Sequence, residues 1–135
     1  MGTNLQKIFD AFFIKLPAVD FTGKEDIVLQ LFKTAVGYAS STLVNLEFTV
    51  DEVTYEGSFN RTLSQREIEL IALYMVREQH YRTYSGFVYK KQHIGTKDFD
   101  KLPDLKKQFE IAENTYHDAD DSVNKFKQEF NIYVS

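Results

Sequence analysis

The sequence predicts a mainly α-helical fold, on three observations. Residues 63–84, LSQREIELIALYMVREQHYRTY, hold an apolar run at 68–75 broken only by Glu69. A helix apolar nearly all round needs neighbours on several sides. Near the C-terminus, Leu105, Phe109, Ala112, Tyr116, Ala119, Val123, Phe126 and Phe130 recur at steps of 4, 3, 4, 3, 4, 3 and 4. That spacing is a heptad seam, written for a partner helix. Near the N-terminus, Leu5, Ile8, Phe9, Phe12, Phe13 and Leu16 fall on one helical stripe. Together they predict four helices, at about residues 4–16, 23–40, 64–85 and 103–131, in a single domain spanning 1–135. An extended or short β segment at 46–59 separates the second helix from the third.

The first helix ends at Pro17, which turns the preceding residue away from helical backbone. Its polar face, with Lys7, Asp10 and Lys15, has too few cations for a membrane-surface helix, so the aromatic stripe reads as core. Thr22-Gly23-Lys24-Glu25 has the spacing of a capping box and predicts the start of the second helix. Ile27, Leu31, Ala35 and Tyr38 form its main stripe, broadened by Val28, Phe32 and Ala39, and Ser40-Ser41-Thr42 close it.

Residues 43–62 change period. Leu46, Phe48 and Val50 alternate with polar residues, as do Val53, Tyr55 and Phe59 beyond Asp51-Glu52. Alternation of this kind reads as extended chain. Asp-Glu is a poor two-residue turn because neither residue readily takes positive φ. A hairpin and one long connection across the helices both stay open, as does pairing of an exposed edge with another subunit.

The third helix opens with a full signature. Ser64 and Glu67 form a capping box, and Leu63 and Ile68 stand at the hydrophobic-staple positions around it. Gly86 marks its predicted end. A loop at 86–97 follows, with Phe87, Tyr89, Lys90, Lys91 and Lys97. Pro103 suits the first turn of the last helix, whose seam has two candidate partners, the third helix or a helix of another subunit.

One domain of 135 residues buries enough surface for a core without metal or disulfide. Having no cysteine excludes a disulfide framework, a thiolate nucleophile and a Cys-based zinc site. No signal peptide is apparent and no apolar run approaches the roughly 20 residues that span a bilayer, which predicts a soluble, intracellular protein. The net charge of −4 argues against general nucleic-acid binding. Charge is uneven, however: residues 64–97 carry six Lys/Arg against three Asp/Glu, and residues 98–135 carry five against nine.

His80, His93 and His117 have no metal-ligand spacing. Carboxylates such as Asp120-Asp121 or Glu67/Glu69 point in different directions on a helix. Hydrolase, P-loop and dinucleotide fingerprints are missing from the sequence. No catalysis, cofactor or metal is expected. A helix-turn-helix is excluded because the central helix is too apolar to lie in a DNA groove.

The run FNRTLSQREIELIALYMVREQHYR, the TKDF that follows, and the heptad-patterned last helix resemble head–tail connector proteins of tailed bacteriophages, the neck or head-completion adaptors. The likeness is carried by residues 59–82 and 96–99, and by pattern in the last helix. Gln79-His80 stand where the family often has a Trp-Leu-like pair. The resemblance implies a helical adaptor in a ring, twelve-fold, between portal and tail. It would extend the channel, help retain the packaged DNA without reading its sequence, and dock the tail. It would be assembled in the host cytoplasm and reside in the virion, with no membrane contact. Ring subunits meet head to tail through two unlike patches. The sequence nominates Tyr89, Lys90, Lys91 and Lys97 for one patch and Asp118, Asp120 and Asp121 for the other. The competing reading is a small helical interaction or regulatory module that binds a partner, nucleic acid among the candidates, through the basic loop 86–97.

Overall fold

A computed structural model describes residues 2–134, with side chains as far as Glu129. The chain forms α1 (Leu5–Lys15), α2 (Glu25–Ala39), β1 (Phe48–Val50), β2 (Gly57–Phe59), α3 (Gln65–Ile94), α4 (Thr96–Phe99) and α5 (Pro103–Val134). It is mainly α with a small two-stranded antiparallel sheet. The four expected helices form, and one short helix, α4, is added to them.

Asn4 caps α1, its side chain accepting from the Gln6 amide at 2.8 Å. Leu5, Ile8, Phe9 and Phe12 are buried, with Phe13 and Leu16 half-buried beside them. The Thr22–Glu25 capping box does not form. Asp20 accepts from the Thr22 amide instead, and the Lys24 amide closes a turn onto the Phe21 carbonyl. That turn needs positive φ at its third residue, and Gly23 supplies it at +75°. The helix therefore starts at Glu25, two residues late, with Lys24 as an N-cap that makes no side-chain bond. Glu25 and Asp26 in its first turn still complement the helix dipole. Its buried face centres on Val28, Phe32, Ala35 and Ala39, which leaves Tyr38 49% exposed. At the other end, the Ser40 and Ser41 hydroxyls donate to the carbonyls of Val36 and Tyr38.

The alternating stretch is a hairpin, with Phe48 opposite Phe59 and Val50 opposite Gly57. Asp-Glu does not make its turn. Asp51 accepts from the amides of Val53 and Thr54, Tyr55 takes φ +61°, and a longer loop closes between Asp51 and Glu56. Val53, expected in the second strand, lies in that loop, 85% exposed. Phe48 and Phe59 pack on Phe32 with ring centroids at 4.9 and 5.8 Å, anchoring the hairpin to α2. The outer edge of β2 is covered by the chain's own start. The Phe59 amide donates to the Thr3 carbonyl, and Thr3 Oγ1 accepts from the Leu63 amide at 2.7 Å.

Ser64 and Glu67 make both bonds of the capping box, at 3.2 and 2.9 Å. Arg61 locks it from outside with a two-pronged grip on the Glu67 carboxylate at 3.1 and 2.5 Å. The end of α3 corrects the sequence reading. Gly86 does not stop the helix, which runs on for two more turns to Ile94, and Gly95, at φ +91°, is where it ends. The expected loop 86–97 is thus mostly helix. Gly86 costs roughly 1 kcal/mol relative to Ala in a helix interior. Lys91, on the extra turns, lies over the rings of Phe99 and Phe109 at 5.6 and 5.3 Å, contacts that favour continuing.

Ile68, Leu70, Ile71, Ala72, Tyr74 and Met75 join the buried residues of α1, α2 and the hairpin in one core, which Val123 of α5 completes. All the core residues of α3 fall in its first half. Beyond Met75, α3 and α5 continue as an antiparallel pair, matched Arg77 to Asp120, Tyr81 to Tyr116 and Tyr84 to Phe109. The described seam residues are buried or half-buried, so the heptad pattern is spent inside the chain; Phe130 lies outside the described side chains. Residues 77–94 make an arm roughly 27 Å long at 1.5 Å per residue.

Candidate interaction surfaces

Three places on this fold carry more chemistry than packing requires: the base of the arm, its tip, and a groove on the body.

At the base, Tyr38 of α2 and Tyr74 of α3 stack with centroids 5.7 Å apart and planes 15° from parallel. The Arg77 guanidinium lies over both rings, at 4.6 and 4.8 Å, and donates to Asp120 Oδ1 at 3.2 Å. Three helices are thereby tied at one point. Glu78 is held above the usual glutamate range by burial, which outweighs the opposing pull of Arg77. Asp120, nominated for a partner, is already engaged within its own chain. Asp118 and Asp121 are exposed on α5 nearby.

Above the base runs an aromatic ladder. Tyr84 stacks on Tyr116 at 5.6 Å and 10° and meets Phe109 at 5.8 Å, and its hydroxyl donates to Glu113. His80, Thr83 and Phe87 line a shallow trough with Gln108, Ile111, Ala112 and Thr115, about 320 Å³ in volume. Burial lowers the His80 pKa.

The tip is closed by α4. Phe99 is buried edge-on to Phe109 at 5.6 Å, with the Lys91 ammonium over both rings. Lys91 is therefore half-buried and structural rather than a free contact. Tyr89, 62% exposed, sets its ring 4.2 Å from that of His93. Lys90 lies over Phe87 at 5.2 Å, and Lys97 is exposed on α4. Ile94 and Leu102 are exposed beside them. The nominated basic and acidic groups are not brought together in one chain. Lys91 and Arg77 are separated by fourteen residues of α3, roughly 21 Å at 1.5 Å per residue.

Sequence reasoning missed the groove. It lies between α1, the α1–α2 loop and the hairpin loop, and encloses about 950 Å³. Phe9, Phe13, Leu16, Phe21, Val28 and Tyr55 give it an apolar floor, and Asp20, Glu25 and Glu56 stand in its wall without a Lys or Arg among the lining residues. Thr22 holds Asp20 below the usual carboxylate range by hydrogen bonding. The signal in the sequence is the six-residue apolar stripe of α1, of which Phe13 and Leu16 stay half-buried and line the groove. Tyr55, a bulky residue at φ +61°, is an uncommon backbone state that only the fold reveals.

Among the described residues no group of three or more His, Cys, Asp or Glu could hold a metal ion, and no helix is long and apolar enough to cross a membrane. These surfaces and this fold define a helical body with a projecting two-helix arm. No family model, curated protein or solved structure matches the chain.

Proposed function

We propose that this chain is a structural assembly protein, a head–tail adaptor that forms a ring between portal and tail of a tailed phage, without catalysis. The observation that carries the reading is the arm. A two-helix hairpin stands out from a compact body, with its tip aromatic and cationic, while the body presents an acidic groove. Unlike patches at opposite ends of one chain suit head-to-tail association, which closes into rings when the rotation permits. Portal and tail proteins are the partners, packaged DNA passes through the lumen unread, and the virion is the protein's location.

The test is electron microscopy of the purified chain alone and mixed with portal rings. Rings of the chain, or a new layer beneath the portal, are expected. A chain that stays monomeric at every attainable concentration and leaves portal rings bare overturns the proposal. Lys90→Glu with Lys97→Glu should block assembly and leave the monomer folded. Lys91 is unsuitable for this purpose because its charge covers the rings of Phe99 and Phe109.

A further inference from the structure

We propose that the arm tip of one copy seats in the acidic groove between α1 and the hairpin of a second copy. The inference rests on the assembly reading above and names the two surfaces it needs.

Charge is the first argument. Residues 79–97 contain Arg82, Lys90, Lys91 and Lys97 and not one Asp or Glu. Beyond them, Asp98 and Asp100 are already matched by Lys101 and Lys106. Among the described residues neither Lys90 nor Lys97 has a carboxylate partner. The groove is the converse, with three carboxylates in its wall and no lining cation. Opposed fields steer encounter and fix register more than they add affinity.

Apolar surface is the second argument. Tyr89, Ile94 and Leu102 are exposed at the tip, 62, 38 and 44%. An aromatic anchor filling an apolar pocket with charges at its rim is the usual anatomy of an interface centre. The groove's 950 Å³ is at the upper end of the range for ligand pockets, room for several side chains.

Reach is the third. A chain cannot fill its own groove. Lys15, at the C-terminal end of α1, pairs with Glu69, and α3 runs unbroken from there to Ile94. Those twenty-five residues place the tip roughly 38 Å along the helix from that pair. A tip that seats in the groove is therefore another copy's, and because tip and groove differ, each copy can give one and receive one.

The experiment is a complementation between two variants of the full chain. The tip variant carries Tyr89→Ser, Lys90→Glu and Lys97→Glu; the groove variant carries Glu25→Lys and Glu56→Lys. Circular dichroism checks that each folds, and sedimentation velocity reads association. Each variant alone should associate about 100-fold more weakly than the parent, because like charges then face each other. Their mixture should regain association at 1:1 stoichiometry, since an intact tip and an intact groove remain between them. If the groove variant fails to fold, the tip variant is paired with a chain altered at Glu56→Lys alone. Parent-like assembly by the tip variant overturns the docking and leaves the assembly reading standing. So does a mixture that forms no complex while the parent assembles. A parent that never associates, alone or on portal rings, overturns both.

Discussion

Replacing Arg77 tests how the arm is fixed to the body. Its guanidinium faces the Tyr38 and Tyr74 rings and donates to Asp120, and its side chain is only 12% exposed. Each partly desolvated cation–π contact is worth about 0.5–1 kcal/mol. The ion pair, with Asp120 35% exposed, contributes about 1 kcal/mol or less. Arg77→Ala also leaves Asp120 unpaired and removes packing, so the total loss should be about 3 kcal/mol. For a chain of this size that lowers the melting temperature by about 10 °C. Arg77→Lys separates the contributions. Lysine keeps the charge but cannot lay a planar group over two rings, so it should recover about 1 kcal/mol of the loss. Asp120→Asn should cost about 1 kcal/mol, and a double-mutant cycle with Arg77→Ala should show coupling of similar size. The assay is urea unfolding followed by circular dichroism and tyrosine fluorescence together. If Arg77→Lys is as stable as the parent, stacking is not what holds the arm. If Arg77→Ala loses under about 0.5 kcal/mol, the whole account of the junction fails.

Ser64→Ala should cost about 1 kcal/mol by removing one bond of the capping box. The Arg61 guanidinium, and then the Ser64 amide and hydroxyl, lower the Glu67 pKa from its ordinary 4.5. Its contribution is therefore complete above pH 4.5 and lost as pH falls through the lower folded-state value; Glu67→Gln should blunt that acid loss in a pH series of unfolding curves. Gly57→Ala would set a Cβ 2.1 Å from the Thr49 carbonyl oxygen, so the strands must part; a loss above about 2 kcal/mol is expected, with disrupted cross-strand NMR contacts at Phe48 and Phe59. Phe99→Ala should uncap the arm. Amide exchange should then speed up through residues 87–94 and 103–110 while the core amides of 68–75 keep their protection.

Local chemistry was well expressed in the sequence. The capping box at Ser64–Glu67 depends on residues three apart, Pro103 opens α5 by its own ring, and the heptad seam fixes which face of α5 is buried. Where two local signals competed, the sequence was ambiguous. Thr22–Glu25 read as a capping box, yet Gly23 at positive φ imposed a turn that no capping geometry tolerates. Of the candidate contact residues, Tyr89, Lys90 and Lys97 are exposed at the tip. Lys91 and Asp120 are consumed by Phe99, Phe109 and Arg77, which lie 8 to 43 positions away.

By itself the sequence determined that the chain is helical, where its four longer helices begin to within two residues, and which stripes face inward. Those properties follow from side-chain spacing and backbone preference over a few residues. Only the tertiary structure decided that α3 passes Gly86 and ends at Gly95, because the cost of one glycine is a local term that packing against α5 and α4 offsets. It alone decided that two helices leave the core as an arm, since that depends on where the core of α3 ends and the ladder with α5 continues. The acidic groove has the same origin: Phe13, Glu25 and Glu56 are distant in sequence, and the packing of α1, α2 and the hairpin loop brings them to one groove.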